Sequence, residues 1–314
     1  MLDTLDGGIA RVTMPMPSKP GHVHCYLLPT ADGWTLVDTG LGLPDARERW
    51  AEVLARLDRP VARIFVTHFH PDHVGAAADL AELTGAPVHQ GALDYRQCEQ
   101  TWESPARQDV TWAWLRANGV PAEWEEDMRV FGGMFQQLTR YARDPVLVEA
   151  GERIDGWELV AAPGHADGQL MLLQDGVLVA GDHLLQRISP AIGLWPDSNP
   201  DPLGDYLDAL DRVAALAPRL ALPGHGDVLD DPSGRAAELF EHHRERLDAL
   251  AAALGDSPRT AYELSSAIFG DDLSPAGRRF ATTETASHLE RLFREDRAAR
   301  SEDDDLIVYR RSAR

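Results

Sequence analysis

The sequence has little of several things, and each shortage excludes something. It holds only two cysteines, Cys25 and Cys98, far apart and in no metal-like spacing, so neither a disulfide framework nor a thiolate metal site is expected. No apolar run approaches the ~18–20 residues needed to cross a bilayer. The opening MLDTLDGGIARVTMPMPSKP lacks both the basic start and the apolar core of a secretory signal, so a soluble cytoplasmic protein without membrane attachment is expected. Basic residues are also scarce: 30 Lys and Arg against 51 Asp and Glu leave a net charge of −21. Such a background repels phosphate backbones, which disfavours a nucleic-acid partner and favours a small-molecule substrate. What remains is an ordinary globular composition, 44% apolar and 26% charged over 314 residues, enough for one large domain and a small one.

The pattern alternates strands with helices. Ile9 to Met16 alternates in polarity, His22 to Leu28 is rich in β-formers, and Trp34 to Asp38 follows the turn at Ala31-Asp32-Gly33. Arg63 to Thr67 reads as a short buried strand and feeds a helix from about Val74 to Leu83. Residues 91–143 break the rhythm. They are helical in composition and carry Trp102, Trp112, Trp114 and Trp124, which as a group suggest a lid over an apolar substrate, while any single one of them is as readily explained by packing the added helices together. Strands return at Val146–Val148, Trp157–Ala161, Leu170–Leu173, Val177–Ala180 and Arg219–Leu222, with a helix over Pro202–Leu216. Strands first and helices after, in each half, predict an α/β fold of two face-to-face sheets with helices outside. The expected domains are a catalytic domain over 1–230, a connector helix over 231–256, and a helix-turn-helix-hairpin over 257–314, the element order of a winged helix.

The strongest chemical signal is Thr-His-Phe-His-Pro-Asp-His, residues 67–73. Burying three imidazoles and a carboxylate together costs several kcal/mol unless something pairs them, and these are the donors that suit zinc and related divalent ions. Alternation along an extended loop would send His68 and His70 to one side and Asp72 and His73 to the other.

This segment resembles the H-x-H-x-D-H signature of the metallo-β-lactamase superfamily. Similar motifs follow in order: Leu36-Val37-Asp38-Thr39-Gly40 resembles its D-T-G turn, Pro163-Gly164-His165 its P-G-H, Ala180-Gly181-Asp182 its G-D, and Pro223-Gly224-His225-Gly226 its G-H-G. The resemblance spans about residues 9–230 and implies a four-layer αββα sandwich with two metal ions. One would sit on His68, His70 and His165, the other on Asp72, His73 and His225, with Asp182 shared. It implies a hydrolase in which the metal pair activates a bridging hydroxide, Asp72 and Asp182 are the catalytic carboxylates, and Asp38 fixes the ligand loop from behind. Zinc is the expected ion; iron and manganese accept the same donors.

Within that superfamily, an aspartate rather than Cys or Ser at 182 resembles the glyoxalase II, lactonase and RNase-Z-like hydrolases more than true β-lactamases. The expected substrate is a small ester, thioester or lactone. The tail resembles that of a group including a single-stranded-RNA endonuclease, which makes a metal-dependent phosphodiesterase the alternative. Residues 257–314 hold ten Arg against eleven acids, and the hairpin tip is Glu302-Asp303-Asp304-Asp305, so this unit is expected to pack on the catalytic domain or a second copy of the chain in a homodimer. His24 and His183 are substrate or supporting candidates, or satisfied structural histidines. His242, His243 and His288 are expected to be surface or structural, and Cys25 and Cys98 to be packing.

Overall fold

The computed structural model describes residues 2–104 and 106–312. Four strands, β1 (Leu2–Thr4), β2 (Ala10–Pro15), β3 (His22–Pro29) and β4 (Trp34–Val37), run antiparallel. A parallel neighbour needs a crossover, supplied by α1 (Ala46–Leu54) before β5 (Val61–Val66). The chain then makes α2 (Pro71–Val74) and α3 (Ala77–Thr84) before β6 (Val88–Gly91), again parallel. The insertion follows, with α4 (Ala92–Cys98), α5 (Arg107–Ala117) and α6 (Glu125–Gln137). Then β7 (Val146–Val148) completes a seven-stranded sheet in chain order.

The second sheet collects β8 (Arg153–Ile154), β9 (Trp157–Ala161), β10 (Leu170–Gln174) and β11 (Val177–Gly181). Helix α7 (Pro202–Leu216) leads back to β12 (Leu220–Pro223), parallel to β11. The two sheets meet face to face through Tyr26, Leu28, Val37 and Phe65 on one side and Trp157, Leu159, Leu172 and Val179 on the other. Trp50, Ile64, Val66 and Leu80 fill the space under the helices outside the first sheet. Met171, Leu178, Leu207 and Leu210 do so outside the second. The central strands, such as β3, β4, β11 and β12, are thus buried on both faces, which explains their near-continuous apolar runs.

Helix α8 (Pro232–Ala253) packs on α7 and leads to the C-terminal unit: β13 (Arg259–Thr260), α9 (Ala261–Phe269), α10 (Pro275–Arg294), β14 (Ala298–Asp303) and β15 (Leu306–Arg311). Its sheet has three strands, in the order β13-β15-β14. Thr260 and Glu263 form a capping box that starts α9, and Ser274 with Pro275 starts α10. Asp304 and Asp305 both adopt positive φ, the backbone a two-residue hairpin turn needs. No described helix is long and apolar enough to cross a membrane.

Two expectations change. The helix expected from Val74 is broken at Gly75 and Ala76, where the backbone bonds to other segments instead of continuing the helix: Ala76 N donates to Gly40 O at 3.0 Å and Gly75 O accepts from Arg140 N at 2.7 Å. The tryptophans of the insertion are not all lid. Trp112, Trp114 and Trp124 pack around Leu115, Val120 and Met128 with Tyr262 of α9, cementing the insertion to the C-terminal unit. Trp102 alone reaches the histidine-rich loop, where its Nε1 donates to Phe69 O at 2.9 Å.

Candidate metal centre

The histidine-rich segment leaves the carboxyl end of β5, where the sheet stops and the chain must turn. Pro71 at the first position of α2 starts a single helical turn after His70. That turn, rather than strand alternation, separates Asp72 and His73 from His68 and His70. The loops after β9, β11 and β12 bring in His165, Asp182 and His225. Three groups of donor atoms converge, each within 4.8 Å: His68, His70 and His165; His68, His73 and Asp182; Asp72, His73 and His225. All seven side chains anticipated as ligands therefore meet at one place, with His68 and His73 each shared by two of the groups.

Hydrogen bonds behind the centre set which ring nitrogen faces inward. Thr67 Oγ1 donates to Asp38 Oδ2 at 2.9 Å, so its lone pair receives His68 Nδ1–H at 3.0 Å and turns His68 Nε2 inward. His73 Nδ1–H donates to Asp38 Oδ2 at 2.7 Å, His165 Nδ1–H to Ala191 O at 2.9 Å, and His225 Nδ1–H to His22 O at 2.7 Å. Each presents Nε2 to the interior, the outer hydrogen bond fixing the ring as it does around bound metals. His70 faces inward through Nδ1, 2.8 Å from His165 Nε2. His225 Nε2 lies 3.2 Å from both Asp72 and Asp182.

The electrostatics divide the site in two. Burial lowers His68 well below its usual value, and burial with neighbouring His165 takes His70 to about 3, so these rings are neutral donors. Burial lowers His165 as well. On the other side burial opposes charge on His225, but Asp182 and Asp72 outweigh it and raise the ring to about 10. His73 is raised by Asp182, Asp38 and Asp72 against its own burial, and Asp72 is held at about 2 by His73 and His225 against its own desolvation. Among the described residues His68 Nε2 is buried without a hydrogen-bond partner, and His73 Nε2 and Asp182 Oδ1, 3.3 Å apart, have none beyond each other. Unpaired buried polar atoms are costly, and a divalent cation would satisfy all three while displacing the imidazole protons. The donor set fits metal.

The supporting residues vary in how legible they were. Asp38 is buried at φ 61° and accepts from Thr67 N at 2.8 Å as well as from Thr67 Oγ1 and His73, which places it behind the loop. His24 does not line the centre. Its ring bridges Thr13 Oγ1 and Gly226 O, steadying the Gly-His-Gly turn, and burial lowers it to about 4. His183 is fully buried against Tyr206 of α7, pointing into the helical layer. Three contributors carried no motif. Asp94 accepts from Phe69 N at 2.9 Å and from Gln90 at 2.6 Å; His22 supplies the carbonyl under His225; Ala191 O seats His165. Gly224 is needed because a Cβ there would sit 2.7 Å from His73 Cε1 and closer still to Asp182 Oδ1.

Residues 18–225 match the family model described as "Metallo-beta-lactamase superfamily", and residues 247–312 match "Metallo-beta-lactamase-like, C-terminal domain". TTHA1429, a metallo-beta-lactamase family protein of Thermus thermophilus, is 36% identical with a TM-score of 0.84, over 97% of this chain and 98% of its own. The "Probable metallo-hydrolase YqjP" of Bacillus subtilis (strain 168) is 26% identical over 312 residues, covering 92% of this chain and 93% of that protein. The atrochrysone carboxyl ACP thioesterase dmxR1 of Cryptosporiopsis sp. (strain 8999) is 23% identical over 309 residues, covering 91% and 80%.

Proposed function

Because the chain belongs to the metallo-beta-lactamase superfamily, we propose that it is a dinuclear metal-dependent hydrolase of a small ester, thioester or lactone. The observation that carries the reading is the convergence of five histidines and two aspartates, with four of the rings fixed by an outer Nδ1 hydrogen bond and His68 Nε2 buried at the centre without a partner. His68, His70 and His165 would hold one ion, Asp72, His73 and His225 the other, with Asp182 between them. Zinc suits these donors, as do iron and manganese. The bound pair supplies Lewis acidity and lowers the pKa of water toward neutrality.

The protein's own groups do the rest. Asp38 and Thr67 keep the His68–His73 loop rigid, so the donors need not reorganise. Asp72 has the more open carboxylate of the two at the centre, 14% exposed against 9% for Asp182, and would take a proton from the attacking water and pass it to a leaving oxygen or sulfur. A thioester is a reasonable first substrate because dmxR1 is named an ACP thioesterase. The C-terminal unit is read as a winged helix that packs on the catalytic domain rather than on nucleic acid. Its hairpin tip is exposed and acidic, and Arg246 and Arg291 are paired with Glu284, Asp201 and Glu295. A second copy of the chain is the partner to test for, by light scattering.

The test sets a thioester, a lactone, a simple ester and a single-stranded RNA side by side with metal-loaded protein. Turnover of an acyl substrate that disappears in Asp182→Asn supports the proposal. Cleavage of RNA alone, lost in the same variant, replaces it with the phosphodiesterase reading.

A further inference from the structure

We propose that His243 on α8 and His288 on α10 form a hydrogen-bonded link through which the C-terminal unit holds the carbonyl that orients His165. Both rings are buried. His288 Nδ1 lies 2.8 Å from Glu284 O, and a carbonyl only accepts, so Nδ1 carries the hydrogen and Nε2 the lone pair. His243 Nδ1, 3.1 Å from that lone pair, must donate to it. His243 Nε2 is then left as an acceptor, 3.2 Å from Ser189 Oγ, whose one hydroxyl hydrogen is shared between this ring and Pro190 O at 3.1 Å. Only one tautomer of each ring satisfies this series, and it ends two residues before Ala191, the acceptor of His165 Nδ1–H. The same segment is held on either side. Arg235 Nε donates to Leu185 O at 2.8 Å, and Leu194 N to Thr283 O of α10 at 3.0 Å.

His243, Glu284 and His288 could also be read as a third metal site, since their donor atoms lie within 4.8 Å of one another. The Glu284 carboxylate is already paired with Arg246. A dication added beside that guanidinium would leave an uncompensated buried charge, which is costly. The link needs no ion.

The inference rests on His165 being a metal donor, so His165→Ala is measured alongside. His243→Leu removes both hydrogen-bonding roles at similar volume; His243→Gln restores a donor and an acceptor. Ser189→Ala cuts the outer end and serves if the leucine variant does not fold. Leu250→Ala, a buried neighbour on α8 outside the link, controls for loosening of the helix. The readouts are metal affinity by chelator competition, metal content by elemental analysis, and kcat against KM with whichever substrate is turned over. We expect His243→Leu and Ser189→Ala to weaken metal binding about tenfold, the low end for a group supporting a ligand. His243→Gln should return to within about threefold, Leu250→Ala should leave affinity unchanged, and the loss in turnover should fall on kcat. If His165→Ala weakens binding but neither link variant does, the link is wrong. If His165→Ala has no effect, the metal assignment itself fails. Loss of a third ion per chain in His243→Leu, with the other two retained, would overturn the link in favour of a metal site.

Discussion

Replacing Asp38 with asparagine is the sharpest test of how the centre is built. Asparagine tolerates the positive φ of 61°, so backbone strain is not introduced. The aspartate accepts three hydrogen bonds: Thr67 N on Oδ1, and Thr67 Oγ1 and His73 Nδ1 on Oδ2. An amide has one acceptor oxygen. Placed at the Oδ2 position it keeps two bonds and sets its NH2 against the Thr67 N–H. Placed the other way it loses two. The better arrangement leaves a buried donor unsatisfied, about 1–3 kcal/mol, and turns a charge-assisted bond to His73 into a neutral one, about 1 kcal/mol more. We expect metal-free Asp38→Asn to be less stable by about 2–4 kcal/mol in urea unfolding. Metal affinity should fall about 10- to 100-fold in chelator competition, because the His73 ring is no longer fixed. A variant that unfolds within about 0.5 kcal/mol of the parent and binds metal unchanged would refute the claim that Asp38 organises the loop.

Elemental analysis of protein purified without added metal should give about two ions per chain, falling to one or fewer in His68→Ala, His225→Ala and Asp182→Asn. Gly224→Ala places a methyl against Asp182 Oδ1 and His73, so metal affinity should fall by about tenfold or more while the fold loses about 1–3 kcal/mol. Unchanged binding would mean that the Gly-His turn can shift freely. His288 is held neutral, lowered to about 3, first by burial and further by Arg246 and His242, against its bond to Glu284 O; His243 and the Glu284 carboxyl also face it. Its folded value lies below the unfolded 6.5, so its contribution to stability is present above pH 6.5 and is lost as pH falls toward 3. Between pH 7 and pH 5 the parent should lose about 2 kcal/mol more than His288→Gln in paired urea titrations; parallel profiles would show that His288 does not titrate on unfolding.

Much of this protein is written locally. The apolar runs of β4, β5 and β11 and the turn chemistry between them fix two buried sheets, because such segments are stable only when covered on both faces. The donor set was equally legible. Histidines and aspartates next to strand ends in five short motifs have few other physical uses, and the structure brings all seven side chains together. The opposite is true of whatever depends on distance along the chain. Nothing near His24 announces that its ring reaches Gly226, 202 residues away. Nothing near Trp112 or Trp124 says that they pack with Tyr262 rather than over the candidate metal centre. His243 and His288 sit on helices whose periodicity is equally satisfied by a surface or a buried face, and only the packing of α8 on α10 put both inside and made them pair. Short-range patterning determines which strands form and which residues can bind metal. Which carbonyl orients each ligand is decided when the loops close, because that choice depends on partners that local sequence does not bring near.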